Sequence, residues 1–275
     1  FDDFILQVKA NGLNRVLTVS DSDLIQGKLR GNFQLSQLEQ LLKNTLSRAY
    51  PFTVAQPFKQ PQNALVDLRI SQKVLATAFP DWGIKNDFTL FGLLHSDASK
   101  GRLQIEAPLI NYQNSIVKGL SLRLEPESSN ASNTIAMEAL QIKNYTFSEL
   151  SLVSSQEDRG MLMQFNAKGN GSQDVFSLEA IHTISENEEL FFRLLPSSIR
   201  YKNTDWKFRP NAQISYSTQS KRWSVEAFQA MAQEQRISLE GNYVNSAAYS
   251  IQSQLQQVTW GDFFPRSKIL VFKES

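Results

Sequence analysis

The stretch Ile199–Tyr243, IRYKNTDWKFRPNAQISYSTQSKRWSVEAFQAMAQEQRISLEGNY, sets the fold class. Polarity alternates along most of it. Trp206 and Phe208 alternate with Asp205, Lys207 and Arg209, and Ile214 and Tyr216 with Gln213, Ser215 and Ser217. Trp223 and Val225 alternate with Arg222, Ser224 and Glu226, and Ile237 and Leu239 with Arg236, Ser238 and Glu240. A period of two belongs to β-strands with one apolar and one wet face. Between the runs lie Asn203-Thr204, Pro210-Asn211, Thr218-Gln219-Ser220 and Gln233-Glu234, short and polar enough to predict hairpin turns. The stretch is an antiparallel meander whose apolar face must be covered.

The same pattern extends towards the N-terminus. Residues 4–31 predict two or three strands, with Leu13, Val16, Leu17 and Val19 ahead of a turn at Asp21-Ser22-Asp23. Ser36-Gln37-Leu38-Glu39 has capping-box spacing, in which Ser and Glu satisfy free amides at a helix start. Leu38, Leu41, Leu42, Thr45, Leu46 and Ala49 then recur at helical spacing until Pro51 stops the run. The apolar side of this helix is expected to pack on the sheet. A second short helix is predicted near Gln72–Phe79, ending at Pro80. Strands follow: Phe88, Leu90 and Gly92 share a face, and Leu103, Ile105 and Ala107 alternate with Arg102, Gln104 and Glu106. Leu120, Leu122 and Leu124 alternate with Ser121, Arg123 and Glu125, and Pro126–Asn133 is a polar turn. Further strands are predicted at Ile135–Ile142, Phe147–Val153, Gly160–Lys168, Val175–Thr183 and Leu190–Leu195. No composition break divides residues 1–275, so one continuous β segment with a helical insert near residues 36–80 is expected. Its repeating unit is a strand and a turn of roughly 10 to 14 residues.

Composition narrows the function. With 28 basic and 27 acidic side chains the net charge is +1, which argues against a nucleic-acid footprint or a polybasic membrane patch. The absence of cysteine removes disulfides, thiolate metal sites and a cysteine nucleophile. No run reaches the length of a membrane-spanning helix. The opening Phe1-Asp2-Asp3-Phe4-Ile5 reads as an excerpt of a longer protein, with any anchor upstream. The two histidines, His95 and His182, are expected in structural or surface roles, and no ligand spacing suggests zinc. Gly169-Asn170-Gly171 lacks the rest of a phosphate loop, and neither G-x-S-x-G nor H-E-x-x-H occurs. Nothing positive supports an enzyme or a cofactor. Periodicity alone leaves two architectures open: a β-sandwich that pairs two apolar faces, or a curved sheet whose apolar face lines a groove.

A resemblance bears on that choice. Leu195-Pro196-Ser197-Ser198-Ile199, followed by Trp206, Pro210, Ile214, Tyr216, Val225, Phe228, Gln235, Ile237, Leu239 and Gly241, resembles the pattern of TamB-like envelope proteins of Bacteroidetes-type bacteria. These belong to the translocation and assembly module, AsmA-like, superfamily. The short helix ending at Pro80, Leu90-Phe91-Gly92, and Ala107-Pro108 with Ile110 before Leu120 are also similar, so the likeness spans most of residues 28–260. It implies a mainly β fold: an elongated, curved antiparallel sheet (a β-taco with a U-shaped groove) and one or two short helices packed on it. It also implies an internal segment of a periplasmic, inner-membrane-anchored bridge that moves phospholipid between the inner and outer membranes. Its partners would be phospholipid acyl chains and, through regions outside this segment, a BamA-family outer-membrane barrel. A protein-assembly scaffold with a dry groove is the first alternative, and a sandwich or solenoid module that binds glycan the second.

On this reading Leu103, Ile105, Leu120, Leu122, Leu124, Met161, Met163, Phe165, Ile237 and Leu239 line the groove. Arg102, Gln104, Ser121, Arg123, Gln164, Arg236 and Glu240 face water.

Overall fold

The computed structural model describes residues 5–12, 14–20, 23–47, 55–112, 115–125, 133–157, 160–170, 173–185, 189–210, 212–245 and 248–258. Eighteen strands form one antiparallel sheet. The first seven are β1 (Ile5–Asn11), β2 (Asn14–Ser20), β3 (Ile25–Asn32), β4 (Asn63–Ile70), β5 (Phe88–His95), β6 (Arg102–Tyr112) and β7 (Ser115–Leu124). Next come β8 (Asn133–Ile142), β9 (Tyr145–Glu157), β10 (Gly160–Gly169), β11 (Asp174–Ile184), β12 (Glu189–Leu194) and β13 (Ser197–Tyr201). The last five are β14 (Thr204–Phe208), β15 (Gln213–Ser217), β16 (Arg222–Ala232), β17 (Gln235–Asn245) and β18 (Ala248–Gln256). Two helices interrupt the series, α1 (Leu38–Leu46) and α2 (Gln72–Ala78).

From β1 to β11 each strand pairs with its successor in sequence. Then β12 and β13 share one row against β11, and β14 and β15 share the next row against β16. The breaks in these rows fall at Leu195-Pro196 and around Pro210. Proline has no amide to give a ladder, so each break is a local loss of pairing. This corrects the hairpin expected at Pro210-Asn211: β14 and β15 continue one row, and Asn211 itself lies outside the described residues. The other turns of that stretch are hairpins. Lys202 and Asn203, both with positive φ, close a two-residue loop between Tyr201 and Thr204.

The sheet forms a single, elongated, curved layer. Its hydrophobic clusters are local: Trp206, Ala230 and Ala232 gather neighbours from β13 to β17, and no described cluster joins the two halves of the chain. The accessible surface is 17818 Å², where a compact protein of 31.2 kDa would expose about 12,000 Å². The described strands form one sheet, with no second sheet among the described residues, which is not the architecture of a sandwich.

Helix α1 lies on one face of β4–β7. Leu41 is fully buried with Phe33, Val66, Leu94, Leu103 and Leu124, and Leu38, Leu42 and Leu46 pack beside them. Asn44 ties the helix down: its amide donates to the carbonyls of Gln56 (2.7 Å) and Ser96 (3.1 Å), and its oxygen accepts from the Gln56 amide (2.9 Å). Thr45 Oγ1 accepts from the His95 amide at 3.1 Å. The expected capping box is absent. A short 3₁₀ turn, Leu35–Gln37, precedes α1, Gln37 takes the cap position, and no side chain caps either element. Buried Gln62 organises this entry instead, accepting from the Gln34 amide (2.8 Å) and donating to the Gln37 side chain. Ala49 and Pro51 lie outside the described residues, as do Leu13, Asp21, Ser22 and most of the turn expected at Pro126–Asn133. Helix α2 covers the other end of the same strands, where Leu75 packs with Ile84, Ala107 and Ile110.

A crease crosses β6 to β9 at one level. Pairing is skipped between Ala107 and Leu109, between Lys118 and Ser121, and between Met137 and Ala139. Gly119 and Glu149 adopt positive φ there. The apolar phase switches at the crease, so Ala107 and Ile110, and likewise Leu120 and Val117, share one cluster. A bulge between Asn166 and Lys168 absorbs the shift in β10.

Two outcomes are expected. With sixteen rows at about 4.8 Å the sheet is roughly 75 Å long, so small-angle scattering should give a radius of gyration near 24 Å rather than the about 19 Å of a compact chain. Leu41→Ala should cost about 2–5 kcal/mol in denaturant unfolding, and Ser36→Ala close to nothing.

Candidate functional site

The register places an unbroken apolar row on the helix-bearing face. Leu6, Val19, Gly27, Leu68, Leu90 and Ile105 are successive partners across β1–β6. Leu122, Ile135, Leu152, Phe165 and Leu178 continue the row across β7–β11. A second row runs Met161, His182, Phe192, Ile214, Val225, Gly241 and Ile251 from β10 to β18. The glycines in these rows are dictated by close approach. A Cβ at Gly27 would lie 2.0 Å from the Asp67 carbonyl oxygen, and one at Gly241 2.1 Å from that of Ser250.

All ten residues assigned to the groove share this face. Leu122 leads through the row to Phe165, with Met161 and Met163 in phase on the same strand. Ile237 pairs with Ala230, and Leu239 with Phe228, beside Phe208. Their surroundings differ. Leu103 and Leu124 are buried in the α1 cluster and are removed from the open part of the face. Ile105 and Leu122 flank that cluster, and Leu120 sits against the α2 cluster. Met161, Met163, Phe165, Ile237 and Leu239 are half-buried on strands that neither helix covers. On the opposite face Arg102, Arg123, Arg236 and Glu240 are exposed, whereas Gln104, Ser121 and Gln164 are half-buried.

A histidine and an aspartate interrupt the apolar face in its helix-free part. His182 is 3% exposed, its ring stacks on Phe192 with centroids 4.6 Å apart, and Nδ1 lies 3.2 Å from the Phe191 carbonyl. Its Nε2 is buried without a partner. Burial pulls the imidazole below its ordinary value, opposed by the bond to Phe191. Asp174, also 3% exposed, is fully bonded: it accepts from the Tyr145 hydroxyl (2.5 Å), the Lys202 amide (2.8 Å) and the Asn170 side chain (3.3 Å). Burial, then the bond to Asp174, pushes the Tyr145 phenol above its usual range. Tyr145, Phe147 and Phe176 pack on one another as an aromatic cluster, from which the Tyr145 hydroxyl reaches this carboxylate.

His95 stands at a strand end, where Nδ1 accepts from the Asp97 amide at 2.9 Å. Asp23 pairs with Lys73 at 2.9 Å, an exposed contact. Among the described residues no group of three or more His, Asp or Glu side chains could hold a metal ion, and no helix is long and apolar enough to cross a membrane. The arrangement offers apolar rows in register with few polar anchors, suited to a ligand without directional bonding. Compared with family models, curated proteins and solved structures, the chain matches none.

The buried imidazole sets a pH dependence. Its folded pKa is depressed, so the unfolded chain takes up the proton first, and stability present above about pH 6.5 is lost as pH falls. The melting temperature should decline between pH 6.5 and 5, and His182→Phe should flatten that decline.

Proposed function

We propose that this chain is a section of a TamB-like, periplasm-spanning bridge whose apolar face carries phospholipid acyl chains between the inner and outer membranes, without catalysing a reaction. The observation that carries this reading is the row of apolar partners in register across eleven consecutive strands of a single-layer sheet. Strand patterning of this kind ordinarily serves a second sheet. Among the described residues no second sheet lies over β8–β18, which leaves this face for a ligand. Acyl chains match it because they need contact area and no hydrogen-bond partners.

The two helices cover β4–β7 and leave β1–β3 and β8–β18 without one. A BamA-family barrel and an inner-membrane anchor would be met by other parts of such a bridge.

Photo-crosslinking in the bacterial envelope tests this directly. A crosslinker at Ile135 or Phe165 should capture phospholipid, and one at the adjacent Thr134 or Gln164 should not. Met163→Asp should block passage while the β signal persists, because an unpaired carboxylate on the track costs several kcal/mol to desolvate. Equal labelling of both faces, or of neither, would leave the assembly scaffold as the better reading.

A further inference from the structure

At the rim where β6 turns into β7 and β8 into β9, the helix-bearing face ends in large apolar side chains that stay exposed. Register sets Tyr112, Ser115, Ile142 and Tyr145 in one row across β6–β9. The loop after α2 comes down on that row: the Trp82 ring lies 5.4 Å from Phe79 and 5.9 Å from Tyr112, centroid to centroid. Phe79, Trp82, Tyr112 and Ile142 are 46%, 42%, 42% and 43% exposed. Two residues inward, Ile110 is buried and Val117 packs beside it, so exposure begins at the rim itself. Lysines stand on the same rim. Lys143-Asn144 is the two-residue loop between Ile142 and Tyr145, Lys202-Asn203 that between Tyr201 and Thr204, and both lysines have positive φ. The Tyr145 and Tyr201 rings are 6.4 Å apart, which places both loops on one rim. A third pair, Lys85-Asn86, follows the Trp82 loop, and all three lysines are exposed. Among nearby carboxylates Asp81 is exposed, whereas Asp87 and Asp205 pair with arginines and Asp174 is buried and bonded.

We propose that this rim docks on the surface of a phospholipid bilayer, with its rings in the interfacial layer and its lysines on anionic headgroups. Tryptophan and tyrosine have an apolar body and a polar edge, which suits them to the headgroup level, and lysine adds attraction to anionic lipid. Phe79 and Ile142 carry no polar group, so a hydrated partner such as a sugar would gain no hydrogen bond from them. The rings meet at 37° and 64°, forming a wedge and not a flat stacking platform. The near-neutral charge of the whole chain agrees with this division: ring burial supplies the affinity and the local lysines the lipid preference. Tyr112 and Ile142 belong to the helix-bearing face, so a bilayer at this rim adjoins the apolar rows. That lipid enters the rows there rests on the conduit reading above; docking rests on the rim alone.

Flotation of the full chain with vesicles of equal parts phosphatidylcholine and phosphatidylglycerol, at low salt, tests this. The chain should float with them, and Trp82→Ser should weaken binding about tenfold, as expected for one large ring lost from the interface. Lys143→Gln should weaken it about fivefold, an effect that vanishes on pure phosphatidylcholine. Phe91→Ser, at a ring 49% exposed on the opposite face, should change nothing. All three side chains are exposed, so the variants keep the fold, which circular dichroism checks. No flotation, or flotation indifferent to Trp82 and Lys143, would overturn the proposal. Self-association in the ultracentrifuge that Trp82→Ser abolishes, without vesicle binding, would instead assign the rim to a second copy of the chain. Lipid capture at Ile135 and Phe165 is scored separately, so docking and conduit can fail independently.

Discussion

Antiparallel register is the constraint on which the structure depends. Directly opposed residues in a ladder stand on the same side of the sheet, and a slip of one residue would send every apolar side chain to the wrong face. Leu6 to Leu178 stay in line over eleven strands because each hairpin or crossover returns the chain in phase. Where the backbone leaves the pleat, as at Gly119 and Glu149, the apolar pattern switches phase at the same level and the face stays continuous. The crease therefore costs pairing but not patterning.

The helices turn this face into two regions. Over β4–β7, α1 and α2 provide a conventional core, anchored by the bonds of Asn44 and Thr45 to the loops and strand beneath. Beyond β7 no helix packs on the sheet among the described residues, and stability comes from the ladders and from local clusters such as Trp206 with Ala230 and Ala232. The bond from Tyr145 to buried Asp174 links β9 to β11 across β10 with a satisfied carboxylate. His182 does the opposite, leaving one ring nitrogen unsatisfied in the middle of the second apolar row. A face that is apolar, curved and largely free of charge is the physical basis for assigning it to acyl chains.

Much of this was legible in the sequence. Period-two patterning located the strands, and the ten residues assigned to a groove fall on one face because alternation carries that information directly. The apolar side of α1 was equally plain. Other features depended on tertiary context. Pro210 looked like a turn, yet pairing of β14 and β15 with the same long strand, β16, makes it a break within a row. Ser36 had the spacing of a cap, but a 3₁₀ turn placed Gln37 at the helix start. Burial of Leu103 and Leu124 depends on where α1 lands, which alternation cannot report. Asp174 and Tyr145 are 29 residues apart with no motif between them, so their bond becomes visible only once β9 and β11 flank β10.

The central claim is that the helix-free apolar face holds lipid. Native mass spectrometry of the chain, purified from a bacterial envelope without detergent exchange into lipid-free micelles, measures this most directly. The account predicts mass adducts corresponding to bound phospholipid, depleted when Phe165 is replaced by Asp. A well-folded chain that emerges free of lipid, or adducts indifferent to that substitution, would contradict it.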